Sequence, residues 1–176
     1  MTNPAELISM AAQGSPIHAG TFNSEGVAIE TPWHFHAFHQ LMYAFEGSVE
    51  VEDERARYKV PHQFAAWIPA HSVHRTALDN VRSGSVFFRP DMIDWPVSSL
   101  RVIPATNLMR EMIMYAMRWP IDGQDSEDSL AYFDCFARLC REWISSEVTL
   151  VLPASDDNRI LAIIDYTRAH LASVTF

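Results

Sequence analysis

Short apolar runs separated by prolines fill the first part of this chain and restrict it to β-structure. Seven of the ten prolines lie between residues 15 and 104, with short runs of β-branched and aromatic residues between them. The apolar run at 40–45 is followed by Glu46-Gly47. In the next segment, 48–52, apolar and polar residues alternate. This pattern predicts a strand, a turn and a second strand. Further short strands are predicted at 64–68 and 85–89. Many short strands at this spacing indicate a sandwich or a barrel.

The apolar pattern changes its period in the second half of the chain. Apolar residues there recur at every third or fourth position, which is the spacing of an amphipathic helix. The pattern predicts one helix over 108–119, capped by Asn107 and stopped by Pro120, and a second helix over 129–146. Because a short polar loop joins them, we expect the two helices to form an antiparallel hairpin.

These patterns divide the chain into three regions. We expect residues 1–104 to form the β-sandwich or barrel and residues 105–152 to form the helical hairpin. Residues 153–176 are predicted to hold a linker at 153–157 and a third amphipathic helix that begins near Asn158. The expected fold class is therefore mainly β with α.

Charge and cysteine content exclude several functions. The formal net charge is −9, from 13 basic and 22 acidic residues, so the chain lacks the basic face that nucleic-acid binding requires. Cys135 and Cys140 are five residues apart in one predicted helix, which is too far for a disulfide. Two free thiols are typical of a cytoplasmic protein. We expect no membrane contact, because no apolar stretch is long enough to span a bilayer.

Six of the eight histidines lie between positions 34 and 74. Residues two apart in a strand share a side, so His34 and His36 should present two imidazoles to one face. Gln40 begins the next apolar strand, and His74 follows a predicted tight turn at Ile68–His71. Three imidazoles and one amide oxygen inside a small barrel suit one divalent transition metal such as Zn, Ni or Fe. The predicted metal ligands are therefore His34, His36, Gln40 and His74.

Two stretches of the sequence resemble the two motifs of cupin barrels. In the first, Pro32-Trp33-His34-Phe35-His36 leads into Gln40 and, further on, Gly47; in the second, Pro69 precedes His74 by five residues. The resemblance departs from the cupin pattern at Gln40, where a glutamate is expected. The glycines of the pattern are also replaced, by Ala28, Gln63 and His71, and its asparagine is replaced by Leu78.

The two motifs are followed by a predicted helix that reads LMREMI. In this order the three segments resemble the N-terminal domain of AraC-type transcriptional regulators. The resemblance implies a cupin (RmlC-like) barrel that senses a small molecule and a helical hairpin that forms a homodimer. It also implies that 159–176 is the first helix of a helix-turn-helix domain, through which alone the family contacts DNA. Met42 and Trp67 are the predicted effector-pocket residues.

Two alternatives remain open at this point. The same fold is used by metal-dependent cupin enzymes, such as dioxygenases and isomerases, because fold does not fix function. The barrel could also serve only for dimerisation. We favour a sensor without catalytic activity, because the position where a cupin enzyme would carry a carboxylate base is Gln40.

Overall fold

The structure is a computed structural model that describes residues 17–26, 28–94, 96, 99–146, 159–163 and 166. Within these ranges the chain forms nine strands, one 3₁₀ turn at Pro90–Met92 and two long helices. The elements are β1 (Ala19–Glu25), β2 (Ile29–Glu30), β3 (His39–Ala44), β4 (Ser48–Asp53), β5 (Arg57–Pro61), β6 (Phe64–Ile68), β7 (His74–Leu78), β8 (Arg82–Phe88), β9 (Arg101–Pro104), α1 (Asn107–Ala116) and α2 (Glu127–Ile144).

The strands form two antiparallel sheets. The five-stranded sheet has the order β1-β8-β3-β6-β9, and the four-stranded sheet has the order β2-β7-β4-β5. One buried apolar cluster contains residues of both sheets, such as Met42 and Ala66 from the first and Val51 and Val60 from the second. The sheets therefore enclose a common interior. The expected fold class, a mainly β cupin-type barrel followed by helices, is confirmed.

The five-stranded sheet has an interior side, towards the other sheet, and a helix-facing side. On β3, Met42 belongs to the interior cluster, whereas Leu41 and Tyr43 belong to the cluster that contains the helices. The strand register pairs Leu41 with Trp67 of β6 and with Val86 of β8, so all three lie on the helix-facing side. Phe88 of β8 contacts Phe133 and Phe136 of α2 there, at centroid distances of 6.2 and 5.5 Å.

The start of each helix is set by a hydroxyl group. Thr106 precedes α1 and its hydroxyl accepts a hydrogen bond from the Met109 N–H at 3.1 Å. Asn107, the predicted cap, is instead the first helical residue. Ser126 precedes α2, and its hydroxyl accepts a hydrogen bond from the Ser129 N–H. The Ser129 hydroxyl accepts one from the Ser126 N–H in return, which completes a capping box.

The first helix ends at Ala116, three residues before the predicted end. The segment that follows is paired with β1: the Thr21 N–H donates to the Trp119 carbonyl and the Ile121 N–H donates to the Thr21 carbonyl, both at 2.9 Å. These bonds require extended backbone, so the helix stops before Pro120 is reached.

The third predicted helix is described in part. Residues 159–163 are helical, whereas the predicted linker at 153–157 lies outside the described residues. The boundaries at 104 and 152 stay predictions. None of the helices in the described part of the chain combines the length and apolar character needed to cross a membrane.

Candidate functional site

The two histidine-bearing segments are joined by backbone hydrogen bonds. His34 and His74 form an isolated antiparallel bridge in which each N–H donates to the other's carbonyl at 2.9 Å. The His71 N–H donates to the His36 carbonyl at 2.8 Å. His34 and His36 do not lie in a regular strand as expected, because they belong to the connection between β2 and β3. The bridge brings them to β7 instead.

A turn over Pro69–Ser72 directs the chain into β7. The Ser72 N–H donates to the Pro69 carbonyl at 3.2 Å, and His71 has a φ of +64°. A positive φ at the third position is the geometry of a type II turn, which usually requires glycine. His71 occupies one of the positions at which the cupin pattern has glycine, and it keeps the same backbone conformation.

The three imidazoles of His34, His36 and His74 converge beneath this turn. Their ring centroids are 4.4 Å apart for His34 and His74, 5.0 Å for His36 and His74, and 6.1 Å for His34 and His36. Each ring offers one nitrogen to a common point, and these nitrogens lie within 4.8 Å of one another. His36 is 3% exposed and His74 is 1% exposed, so these two rings are inside the barrel, whereas His34 is half-buried.

Backbone carbonyls fix the tautomer of all three rings. The Nδ1 of His34 lies 2.9 Å from the Pro32 carbonyl oxygen, that of His74 lies 2.9 Å from the Ser72 oxygen, and that of His36 lies 2.7 Å from the Phe38 oxygen. A carbonyl only accepts, so each Nδ1 carries the hydrogen and each Nε2 is left with its lone pair when the ring is neutral. This is the arrangement in which histidine binds a metal through Nε2.

Burial keeps these rings neutral. It lowers the pKa of His74 from 6.5 to about 3 and also lowers the pKa of His34 and His36. Hydrogen bonds to backbone carbonyls oppose the shift in each ring, and the neighbouring imidazoles add to it for His36 and His74. Above pH 6.5 the cluster therefore presents three unprotonated Nε2 atoms.

Gln40 completes the cluster from β3. Its Oε1 lies 2.9 Å from the Nε2 of His36, and its Nε2 donates to the Ser85 hydroxyl at 2.8 Å. The Nε2 of His74 is buried and has no hydrogen-bond partner in the described structure. Three imidazole lone pairs and an amide oxygen thus face one another with no proton between them, which is the donor set that a divalent transition metal accepts. The residues fit such an ion.

A small cavity of about 50 Å³ adjoins the cluster on the interior side. Among the residues that the structure describes around it, none carries an acidic or a cationic aliphatic side chain. The lining consists of Phe22, Ile29, Thr31, His34, His36, Gln40, Met42, His74, Thr76, Leu78, Ser83, Ser85 and Phe87. The cavity is therefore neutral, with hydroxyl groups and imidazoles among apolar walls.

The sequence profile described as the AraC-like ligand binding domain matches residues 26–144, which cover the barrel from β2 onwards and both helices. The chain belongs to this family.

Relatives of this AraC-like domain are found among regulators and their structures. Over 109 residues it is 34% identical to the HTH-type transcriptional regulator NimR of Escherichia coli (strain K12), a stretch that covers 59% of this chain and 36% of that protein. It is similar to the AraC-like transcriptional activator CuxR at 10% identity and a TM-score of 0.46, with 88% of this chain and 58% of that chain covered. It is also similar to ToxT of Vibrio cholerae with an unsaturated fatty acid bound, at 10% identity and a TM-score of 0.45, with 90% and 64% covered.

The structure of the AraC-like domain separates the two predicted pocket residues. Met42 lines the interior cavity beside Gln40, as two residues of one strand side must. Trp67 does not line this cavity: it lies on the helix-facing side, fully buried, with its ring stacked on His39 at 5.2 Å. The four predicted metal ligands His34, His36, Gln40 and His74 are brought together, and metal binding itself stays a prediction.

Sequence reasoning missed the polar residues that β7 and β8 contribute to the AraC-like domain. Ser85 holds the Gln40 amide, and the Thr76 and Thr31 hydroxyls lie 3.3 Å apart in the cavity wall. A signal was present, because Ser83, Ser85 and Phe87 alternate with Gly84, Val86 and Phe88 in a single run. The alternation identifies two sides of a strand, and only the tertiary structure tells which one faces the histidines.

Proposed function

We propose that this chain is the effector-sensing domain of an AraC-type transcriptional regulator that acts in the cytoplasm. The observation that carries the proposal is the family match over residues 26–144. The similarity to an HTH-type regulator supports it, and so does the neutral cavity beside the histidine cluster. DNA contact then belongs to a helix-turn-helix domain, because this chain has a net charge of −9.

Sensing is the role that the chemistry of the cavity supports, rather than catalysis. A hydrolytic or proton-transfer enzyme needs a general base within reach of its substrate. The interior position where cupin enzymes carry a carboxylate holds Gln40, whose amide cannot take up a proton at neutral pH. The proposal is that the chain binds its ligand and releases it unchanged.

Two measurements test the sensing role. A small effector should raise the melting temperature of the 176-residue chain in proportion to its concentration, without being consumed. The same chain should give no specific complex with promoter DNA in a mobility-shift assay at physiological salt. Metal-dependent turnover of the ligand would overturn the proposal in favour of a cupin enzyme, and tight sequence-specific DNA binding would contradict the division of roles.

The partner proposed for the helical region is a second copy of the chain. Leu108, Met112 and Tyr115 follow one face of α1 at positions i, i+4 and i+7, and Leu108 and Tyr115 are 55% and 47% exposed. Large apolar side chains in a stripe on one helix are typical of a self-complementary interface. Sedimentation should therefore give a mass near twice 20.0 kDa.

The dimer is tested with two matched substitutions. Leu108→Glu places a charge in the stripe and should convert the protein to monomers at micromolar concentration. Val73→Glu makes the same kind of change at a position that is 41% exposed in the turn region of the barrel, and it should leave the mass unchanged. A monomeric wild-type protein would refute the interface.

We further propose that His34, His36 and His74, through Nε2, and Gln40, through Oε1, hold one divalent transition-metal ion such as Zn, Ni or Fe. The support is the tautomer that the carbonyls of Pro32, Phe38 and Ser72 impose, because it leaves every Nε2 free to coordinate. When bound, the ion would supply a positive centre at the wall of the neutral cavity.

Elemental analysis after zinc loading and dialysis tests the metal site. The wild-type protein should retain about one ion per chain, and His34→Ala should retain none. His62→Ala removes an exposed histidine from the turn between β5 and β6 and should behave as wild type. Equal metal content in the His34 and His62 variants would refute the assignment.

A further inference from the structure

The hydrogen bonds around Gln40 are incompatible with a metal-free site in which its oxygen faces His36. His36 Nδ1 lies 2.7 Å from the Phe38 carbonyl oxygen and must donate to it, so Nε2 has no hydrogen in the neutral ring. Gln40 Oε1, 2.9 Å from that Nε2, has none either. Two acceptors at this distance repel each other unless a cation lies beside both.

We propose that the Gln40 amide is a two-position switch that turns over when an ion enters the site, and that the ion is therefore an exchangeable signal. The inference rests on the proposed metal site. It concerns the role of Gln40, which lies where the cupin pattern has a glutamate.

In the metal-free position the amide is reversed by a rotation of about half a turn about its last side-chain bond. Its NH₂ group then donates to the His36 Nε2, and its oxygen accepts from the Ser85 hydroxyl. The two heavy-atom separations of 2.9 and 2.8 Å serve equally well for these bonds, because amide nitrogen and oxygen are almost equal in size. Gln40, Ser85 and His36 then satisfy one another without metal.

In the metal-bound position the amide has the orientation described above. Oε1 faces the ion together with the three Nε2 atoms, and the NH₂ group donates to Ser85 Oγ. A serine hydroxyl can either donate or accept, so Ser85 satisfies Gln40 in both positions. A glutamate at position 40 could not do so, because a carboxylate has no hydrogen to give to His36.

Reversible binding follows from the competition between these positions. An ion must displace the internal Gln40–His36 hydrogen bond, and no carboxylate in the described cavity wall offsets the charge of the ion. The cavity of about 50 Å³ is also far smaller than the roughly 300–1,000 Å³ of typical small-molecule pockets. The barrel interior as it stands has room for an ion with a water molecule, so an ion is a ligand that fits this interior without rearrangement.

The first experiment locates the amide in the wild-type chain by NMR, with ¹⁵N-labelled glutamine and histidine. In metal-free protein at pH 7.5, the Gln40 NH₂ protons should show NOEs to the His36 ring. After one equivalent of zinc these NOEs should be lost, and NOEs to the Ser85 β-protons should take their place. An amide that keeps one set of NOEs in both samples overturns the switch.

The second experiment measures zinc affinity by competition with a fluorescent chelator. Gln40→Glu should bind zinc at least about tenfold more tightly than wild type, because the carboxylate adds charge and the competing hydrogen bond is gone. Gln63→Glu makes the same substitution at an exposed position and should stay within about twofold of wild type. Equal affinities in the two variants would overturn the role of Gln40.

The outcomes separate this inference from the proposals on which it rests. Zinc binding that depends on His34, but without reorientation of the amide, refutes the switch and leaves the metal site standing. No zinc binding by the wild type refutes both. An organic effector that stabilises zinc-free protein and the His34→Ala variant equally supports the sensing role, but it overturns the ion as the signal.

Discussion

On β8, Gly84, Val86 and Phe88 face the helices, whereas Ser83, Ser85 and Phe87 between them face the barrel interior. The helix-facing side is mostly apolar and aromatic, and it is closed by α1 and α2. The interior side carries serine, threonine, glutamine and histidine around a small cavity. The same strands thus support two environments. Packing against the helices stabilises the fold on one side, and the other side carries the polar residues of the site.

The largest effect should come from the helix-facing side. Phe136 is fully buried on α2 and contacts Phe88, Tyr132 and Trp143. Phe136→Ala should lower the free energy of unfolding by roughly 3–5 kcal/mol, because it removes a large apolar side chain and leaves a cavity. Chemical denaturation measures the loss.

Two controls accompany this substitution. Arg138→Ala, at an exposed position of the same helix, should change the stability by less than about 0.5 kcal/mol. Zinc affinity of folded Phe136→Ala should equal that of wild type. A large change in affinity would mean that the two sides of the sheet are not independent.

The next effect concerns the interior next to the histidine site, where the ring centroids of Phe87 and His36 lie 5.5 Å apart. Ile17, Phe38, Phe87 and Ile121 form an apolar cluster there. A Cβ on Gly20 would lie 2.6 Å from Ile121 Cα, a contact that backbone cannot easily relieve. Gly20→Ala should therefore cost roughly 1–3 kcal/mol of stability, as overpacking does.

Gly26→Asn is the matched control for the glycine substitution. Gly26 has a φ of +64° and open space around its Cα, and asparagine tolerates that conformation. Its thermal unfolding should be close to that of wild type. If Gly20→Ala melts at the wild-type temperature, the close packing of β1 against Ile121 is refuted.

The pH dependence of stability should test the helix-facing side and the interior side separately, because each side contains buried histidines. Burial lowers the pKa of His39, on the helix-facing side, to about 4, and its Nδ1 accepts a hydrogen bond from the Ala70 N–H at 3.0 Å. Between about pH 6.5 and pH 4 the unfolded chain takes up a proton that the folded protein excludes. His39 therefore does not change the free energy of unfolding with pH above pH 6.5. Below pH 6.5 it lowers this free energy by at most about 1.4 kcal/mol for each unit by which the pH falls.

His39→Gln is the test, because glutamine does not titrate in this range. Its free energy of unfolding should fall less steeply than that of wild type between pH 6.5 and 4. The slope that remains is assigned to the interior, where the pKa of His74 is lowered to about 3. Identical pH profiles of the two proteins would contradict the burial of a neutral His39.

The smallest effect is expected at the start of α2. Ser126→Ala removes the hydroxyl that accepts a hydrogen bond from the Ser129 N–H at 3.1 Å, and it should cost about 1 kcal/mol. Ser146→Ala, at an exposed position after the same helix, serves as the control for loss of a serine hydroxyl. Differential scanning calorimetry should give a lower melting temperature for the first variant alone.

Local sequence pattern predicted four of the nine strands in the described residues and much of the site. The predicted strand 64–68 has the bounds of β6, and Gln40 and Met42 share a side because both lie in β3. Trp67 lies on the other side from Met42 because its side depends on the register of β6 against β3, which pairs it with Leu41. Register is a property of two strands together, and neither strand alone contains it.

Other differences have the same origin in tertiary contacts. Alternation within a strand was the reason to place His34 and His36 together, but the bridge between His34 and His74 is what positions them. The end of α1 was predicted from Pro120, whereas the pairing of Trp119 and Ile121 with Thr21 ends it earlier. In each case a partner distant in sequence overrides the local signal.

The bridge between His34 and His74 also determines when the site can form as the chain folds. These residues are separated in sequence by all of β3 to β6, so their hydrogen bonds close a long loop that brings no gain until the strands between them have paired. The cluster is therefore expected to form only after the strands between its two segments have paired. A chain that has only begun to fold offers scattered histidines, so the proposed binding of a single ion would indicate that the barrel is complete.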